Sequence, residues 1–297
     1  MKWTYLLWAG LAALAALAGL GAAWWGRGRF VRGRRAFLAV GVFLAVGITG
    51  GYLAHGPVTA METQGRLAEA TAKADDIFRT DGLLRALKQA EPERAGGLHA
   101  RLALALAAAT PAEAGPVEAR LRDEAMHEAL AAAFSRLPNA SDEAAARLAQ
   151  ALLAALGALQ GKDALLCLGL LHPGSPNDAA LTQNAIARLE GSVRKDLESA
   201  LALTLASSSM RPSPAPLPAK ADAALADMFT ENLPEFQRDY GNPKQVAALF
   251  EALAEPEHAR SIAPETLCAF AQDLLRALLR MPPAERGPGL RRLLGAG

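Results

Sequence analysis

The chain has no acidic residue before Glu62 and no tryptophan after Trp25. Charge of either sign is missing from Trp3 to Trp25, 23 residues, and again from Ala36 to Ala54, 19 residues. Runs of that length without a charge exclude an ordinary solvated segment. Aromatics make up 5% of the 297 residues, too few for a tetratricopeptide array, which needs them at fixed positions. After Pro57 no alternating run of β-branched residues occurs, which argues against strands. The serine-hydrolase signature Gly-x-Ser-x-Gly is absent too.

The segment between the two uncharged runs is strongly basic. The stretch WWGRGRFVRGRRAF holds Arg27, Arg29, Arg32, Arg34 and Arg35, five arginines within nine positions. As helices the flanking runs measure about 35 Å and about 28 Å at ~1.5 Å per residue, lengths that suit a ~30 Å hydrocarbon core. Trp3, Tyr5 and Trp8, then Trp24 and Trp25, and finally Tyr52 fall where a bilayer interface favours amphipathic rings. Residues 1–56 therefore read as a transmembrane hairpin, with spans at about 3–25 and 36–54 and a basic turn at 26–35. The first run exceeds the ~7–15-residue apolar core of a signal peptide, so it reads as a retained span.

Lysine and arginine beside spans stay on the cytoplasmic side. The turn has five and the amino-terminal flank only Lys2, so the turn is expected in the cytoplasm. Both termini and everything beyond residue 56 then lie in the periplasm of a two-pass bacterial inner-membrane protein. Residues 1–55 hold six of the 31 basic residues and none of the 30 acidic ones, which leaves the remainder with 25 basic and 30 acidic, a net of −5. A mildly acidic domain is a poor nucleic-acid binder. The partner of the basic turn is instead the lipid bilayer, through anionic headgroups. Gly47-x-x-x-Gly51 and the pair Ala12 and Ala16 offer small-residue faces for close helix packing, and so a route to a homo-oligomer through the spans.

From Pro57 on, apolar residues recur at three and four spacing, the pattern of an all-α domain. Caps and breakers set the expected helices. They run at about Val58–Phe78, with Thr80 capping a continuation to Ala90, then Glu93–Ala109 and Pro116–Leu137. Ser141 caps Asp142–Leu159, Lys162–Leu171 comes next, and Asn177 caps the longest helix, to about Ser207. Along that helix Leu181, Ala185, Leu189, Val193, Leu197, Leu201 and Leu205 form one stripe. SSSMRPSPAPLPAK, residues 207–220, reads as a semi-rigid linker because its prolines favour extended backbone. Beyond it helices are expected at Ala219–Glu231, Pro243–Ala254 (capped by Asn242), Pro264–Met281, and near the end of the chain. The organisation is thus a helical domain at 57–206, the linker, and a carboxyl-terminal subdomain at 221–297, built as an irregular bundle or an α-solenoid.

Reactive chemistry is sparse. Cys167 and Cys268 form an even pair that suits a disulfide in an oxidising compartment, with two buried thiols as the alternative. HEAL, starting at His127, lacks the second histidine of a zinc-protease helix because position 131 is Ala131. GALQGKD, residues 157–163, is one short of a phosphate loop and carries Asp163 where Ser or Thr belongs. DDIFRTDG, residues 75–82, fails the spacing of a calcium loop. No catalytic residue, metal site or cofactor is assigned. The expectation is a membrane-anchored, non-enzymatic envelope protein whose periplasmic helical domain binds another protein, in a scaffold, assembly or protective role. The alternative is an oligomeric membrane component in transport or sensing, although neither span holds an ionisable residue.

Overall fold

The computed structural model describes residues 63–175, 178–211, 213 and 216–295. The hairpin expected over 1–56 lies outside the described residues, and with it Arg27, Arg29, Arg32, Arg34, Arg35, Gly47 and Gly51; so does the expected cap Asn177. Among the described residues no helix is long and apolar enough to cross a membrane. Two units divide the chain, Met1–Glu69 and Ala70–Gly297. Of the first, residues 63–69 are described and are helical. The second holds the helical bundle.

Every regular element among the described residues is a helix. They are α1 (63–80), α2 (Gly82–Ala90), α3 (Pro92–Ala108), α4 (Ala114–Arg136), α5 (Asp142–Gln160) and α6 (Leu165–Leu171). Then come α7 (Ala179–Arg188), α8 (Gly191–Ser209), α9 (Ala219–Tyr240), α10 (Pro243–Ala254), the short α11 (Pro256–Ala259), α12 (Pro264–Arg280) and α13 (Pro283–Leu294). Two starts arise directly from capping chemistry. The Ser141 side chain accepts from the Ala144 N–H, with Asp142 and Glu143 in the first turn of α5. Asn242 and Gln245 form a reciprocal capping box, with Pro243 in the first turn of α10.

Three expected boundaries are corrected. Asp81, not Thr80, caps α2: its carboxylate accepts from the Leu83 and Leu84 N–H groups, while the Thr80 hydroxyl donates back to the Asp76 carbonyl. The single long helix ending near Ser207 is two helices, α7 and α8, interrupted at Leu189–Glu190. Gly191, with φ of +57°, takes the left-handed conformation that lets the chain turn there. Ala185, Leu189, Leu197, Leu201 and Leu205 are nonetheless all buried, so the stripe records burial across the break rather than continuity of one helix. The linker also starts later than residue 207. Ser207 and Ser208 are buried in the last turn of α8, their hydroxyls donating to the Thr204 and Leu205 carbonyls.

The bundle is organised around α5 and α8. Helix α8 packs against α2, α4 and α5, and α5 touches α6, α12 and α13. Apart from α5 with α6, these pairings join helices that are not consecutive in sequence, unlike the neighbour-on-neighbour stacking of a solenoid. One buried cluster runs from Leu87 and Leu130 through Leu156 and Leu201 to Leu267 and Phe270, so helices on both sides of the Pro-rich connector share a core. Arg291 of α13 fixes the join. It is buried, yet its guanidinium lies 3.0 Å from Asp142 Oδ1 and donates to the Ala140 carbonyl at 3.0 Å, so the charge is paired. Helices α6 and α7 meet at Gly169, where an added Cβ would lie 2.5 Å from the Leu181 and Thr182 backbone. The Thr182 hydroxyl donates to the Gly169 carbonyl across that contact, at 2.7 Å.

Candidate binding cavity

Helix α6 is almost wholly apolar, LLCLGLL, and stops at His172 because Pro173 cannot continue it. The turn after it, His172–Ser175, forms one wall of a cavity of about 650 Å³. Leu170 and Leu152 lie deep in it, with Ala271, Leu274 and Leu275 of α12 on the facing side. The end of α4 adds Phe134 and Ser135, the end of α10 adds Leu253 and Ala254, and the end of α13 adds Leu293 and Leu294. Helix ends converge here, so the cavity sits where the regular packing of the bundle runs out. Its exposed lining residues, Ser135, Gly174 and Ala254, mark the mouth.

Among the described residues no Lys, Arg, Asp or Glu lines it. The one titratable lining group among them is His172, which is buried and donates through Nε2–H to the Ala252 carbonyl at 3.0 Å. Burial pushes its pKa below the usual histidine value, against the smaller opposing pulls of that hydrogen bond and of Asp178. The ring is therefore neutral at physiological pH.

Cys167 and Cys268 are joined by a disulfide, with Cα atoms 5.7 Å apart. Both are fully buried, and the bond ties α6 to α12. These are the helices that present Leu170 and Leu171, and Ala271, to the cavity one turn further on. Beside the bond the buried Gln272 donates to Gln160 Oε1 at 2.6 Å and accepts from Arg276 at 3.1 Å. Arg276 also pairs with Asp273, whose other oxygen accepts from the Tyr240 hydroxyl. Burial first, and Asp273 second, hold that phenol well above its ordinary pKa.

The other sequence candidates fall apart in space. His99 pairs with Asp75 at 2.9 Å and His258 with Glu255 at 3.3 Å, while His55 lies outside the described residues. Among the described residues no three His, Cys, Asp or Glu side chains converge as a metal site would require. In GALQGKD the Lys162 ammonium contacts Glu190 at 3.0 Å and the Arg188 carbonyl at 3.3 Å. In DDIFRTDG the carboxylates serve as partners of Arg79 and His99 and as the cap of α2. The cavity itself was not visible in the sequence. Its one local signal is His172-Pro173-Gly174, a polar breaker set directly after a leucine-rich helix.

Two histidines shielded from water, the buried His172 and the partly buried His127, make stability pH-dependent. The pKa of His127 is lowered in the same direction as that of His172, by burial first and Arg94 last, with Glu128 opposing. The unfolded chain then binds more protons than the folded one, so stability rises with pH. It is expected to be complete above the ordinary histidine value of about 6.5 and to be lost as pH falls below it toward the lowered folded values. The melting temperature should drop between about pH 7.5 and about pH 5.5, the histidine window. The double variant His127→Gln, His172→Gln should flatten that slope; an unchanged slope would count against this assignment.

Fold and cavity together define an all-α domain with one disulfide and a cavity lined, among the described residues, by no charged side chain. No protein-family model, curated protein or solved structure matches the chain.

Proposed function

We propose that this is a membrane-anchored, non-enzymatic envelope protein whose helical domain lies on the periplasmic side and binds another protein, as a scaffold, assembly factor or protective partner. The observation that carries the placement is the buried Cys167–Cys268 disulfide, a bond that persists in oxidising compartments and is rare in the cytosol. It is independent of the arginine turn in the sequence, and both arguments point to the same side of the membrane.

A reporter pair at the carboxyl terminus tests the placement. Alkaline phosphatase fused there should be active and a fluorescent protein dark; fluorescence without phosphatase activity would overturn it. Cross-linking in intact membranes, followed by solubilisation and mass spectrometry, tests the partner. Recovery of no reproducible protein would sink that half of the reading.

A further inference from the structure

We propose that the cavity between α4, α6, α10, α12 and α13 binds one fatty-acyl chain of a membrane lipid, with the polar end left at the mouth beside Ser135, Gly174 and Ala254. Three observations carry it. First, the volume of about 650 Å³ falls within the ~300–1,000 Å³ of small-molecule sites. Second, the wall is mainly leucine, alanine and phenylalanine with no charged group among the described residues, and its one titratable ring has its Nε2–H engaged by the Ala252 carbonyl. A charge carried inward would be left unpaired, so the part of a ligand that enters is apolar. Third, the lining grades from buried Leu152, Leu170 and Ala271 to exposed Ser135, Gly174 and Ala254. That gradient matches an amphiphile whose tail is buried and whose head stays wet.

Size decides against a partner helix inside the cavity. A helix ~10 Å across with a ~5.4 Å pitch fills roughly 400 Å³ per turn. A helix wholly inside would have room for about one and a half such turns, whereas groove recognition reads anchors at i, i+3 or i+4, and i+7 over two turns. A flexible aliphatic chain follows an irregular wall of leucine side chains without that requirement. The membrane as source of the chain rests on the tethering proposed above; the chemistry of the cavity does not.

The test uses the full chain in lipid nanodiscs with a photoreactive palmitate analogue. Labelled peptides should map to Leu170–Ser175 and Leu253–Ala254, and excess palmitate should suppress them. Ala131→Trp and Leu253→Trp each fill the cavity from half-buried positions, and a melting curve for each variant verifies that it folds. Each should weaken labelling about tenfold, the change produced by about 1.4 kcal/mol of lost affinity. The proposal fails if labelling avoids these peptides, if palmitate does not compete, or if both variants label like the parent chain. None of these outcomes depends on which side of the membrane the domain occupies, so a failed reporter experiment and a failed labelling experiment remain distinguishable.

Discussion

Replacing both cysteines, as Cys167→Ala with Cys268→Ala, is expected to lower the stability of the helical domain by about 4–5 kcal/mol. Loop length sets that magnitude. The bond closes a separation of 101 residues, and in the chain-entropy view a longer loop loses more freedom in the unfolded state when it is closed. For a unit the size of Ala70–Gly297 that corresponds to a fall in melting temperature of roughly 10–20 °C. The packing loss adds little, because alanine leaves two small gaps among leucines that already touch. The bond has a second consequence through its place in the fold. It ties α6, ahead of the Pro-rich connector, to α12 beyond it. Without it the two halves of the core rely on packing and on polar contacts such as the Arg291–Asp142 pair and the Gln272–Gln160 and His172–Ala252 hydrogen bonds. Because both sulfurs are fully buried, alkylating reagents should not label the native protein even with mild reductant present, and should label it on unfolding. Native protein isolated from membranes that carries two alkylatable thiols at these positions, and melts where the double variant melts, would refute the expectation.

Much of the helical architecture was legible because helix starts are local. Ser141 and Asn242 announce α5 and α10 through side chains that reach backbone N–H groups two or three residues away. Ends and breaks leave a weaker local mark. The stripe from Leu181 to Leu205 keeps its apolar period across Leu189–Glu190, where the chain nevertheless turns. Periodicity reports which side chains meet the core, and a bundle can meet them with two helices as readily as with one. Helix α9 shows the reverse error. Pro234 sits inside it, yet the helix continues to Tyr240, because Phe236 on its last turns is buried in the core. Tertiary packing overrides the local cost of a lost N–H. The cavity was barely legible, its one local mark being His172-Pro173-Gly174 after a leucine-rich helix. Its lining comes from six separate stretches of chain that look, one by one, like ordinary core. The pairing of Cys167 with Cys268 could be posed from the sequence, but choosing between a bond and two thiols required the approach of α6 to α12.

Phe270→Ala is expected to be the most damaging single core substitution, costing roughly 3–5 kcal/mol. Phe270 is fully buried and heads the fully buried side chains by volume. Its ring is the hub of an aromatic cluster, with centroids 4.9 Å from Phe250, 5.2 Å from Tyr240 and 5.4 Å from Phe236, all edge-to-face. Each such pair contributes about 0.5–1.5 kcal/mol beyond area burial, so truncation removes three favourable contacts as well as opening a void. The cluster gathers α9, α10 and α12 around one ring. Phe270→Leu keeps most of the volume while losing the edge-to-face geometry, and should cost distinctly less. Denaturant titration of the parent and both variants separates the two effects, provided the slope with denaturant is unchanged. The substitution also reaches the cavity. Phe250, the nearest neighbour of Phe270 in the cluster, is itself a lining residue, so losing the hub frees a wall side chain to move inward. Loss of stability and weakened labelling by the palmitate analogue should therefore appear together in Phe270→Ala. A variant that labels normally while melting far below the parent chain would show that the aromatic cluster supports the fold without shaping the cavity wall.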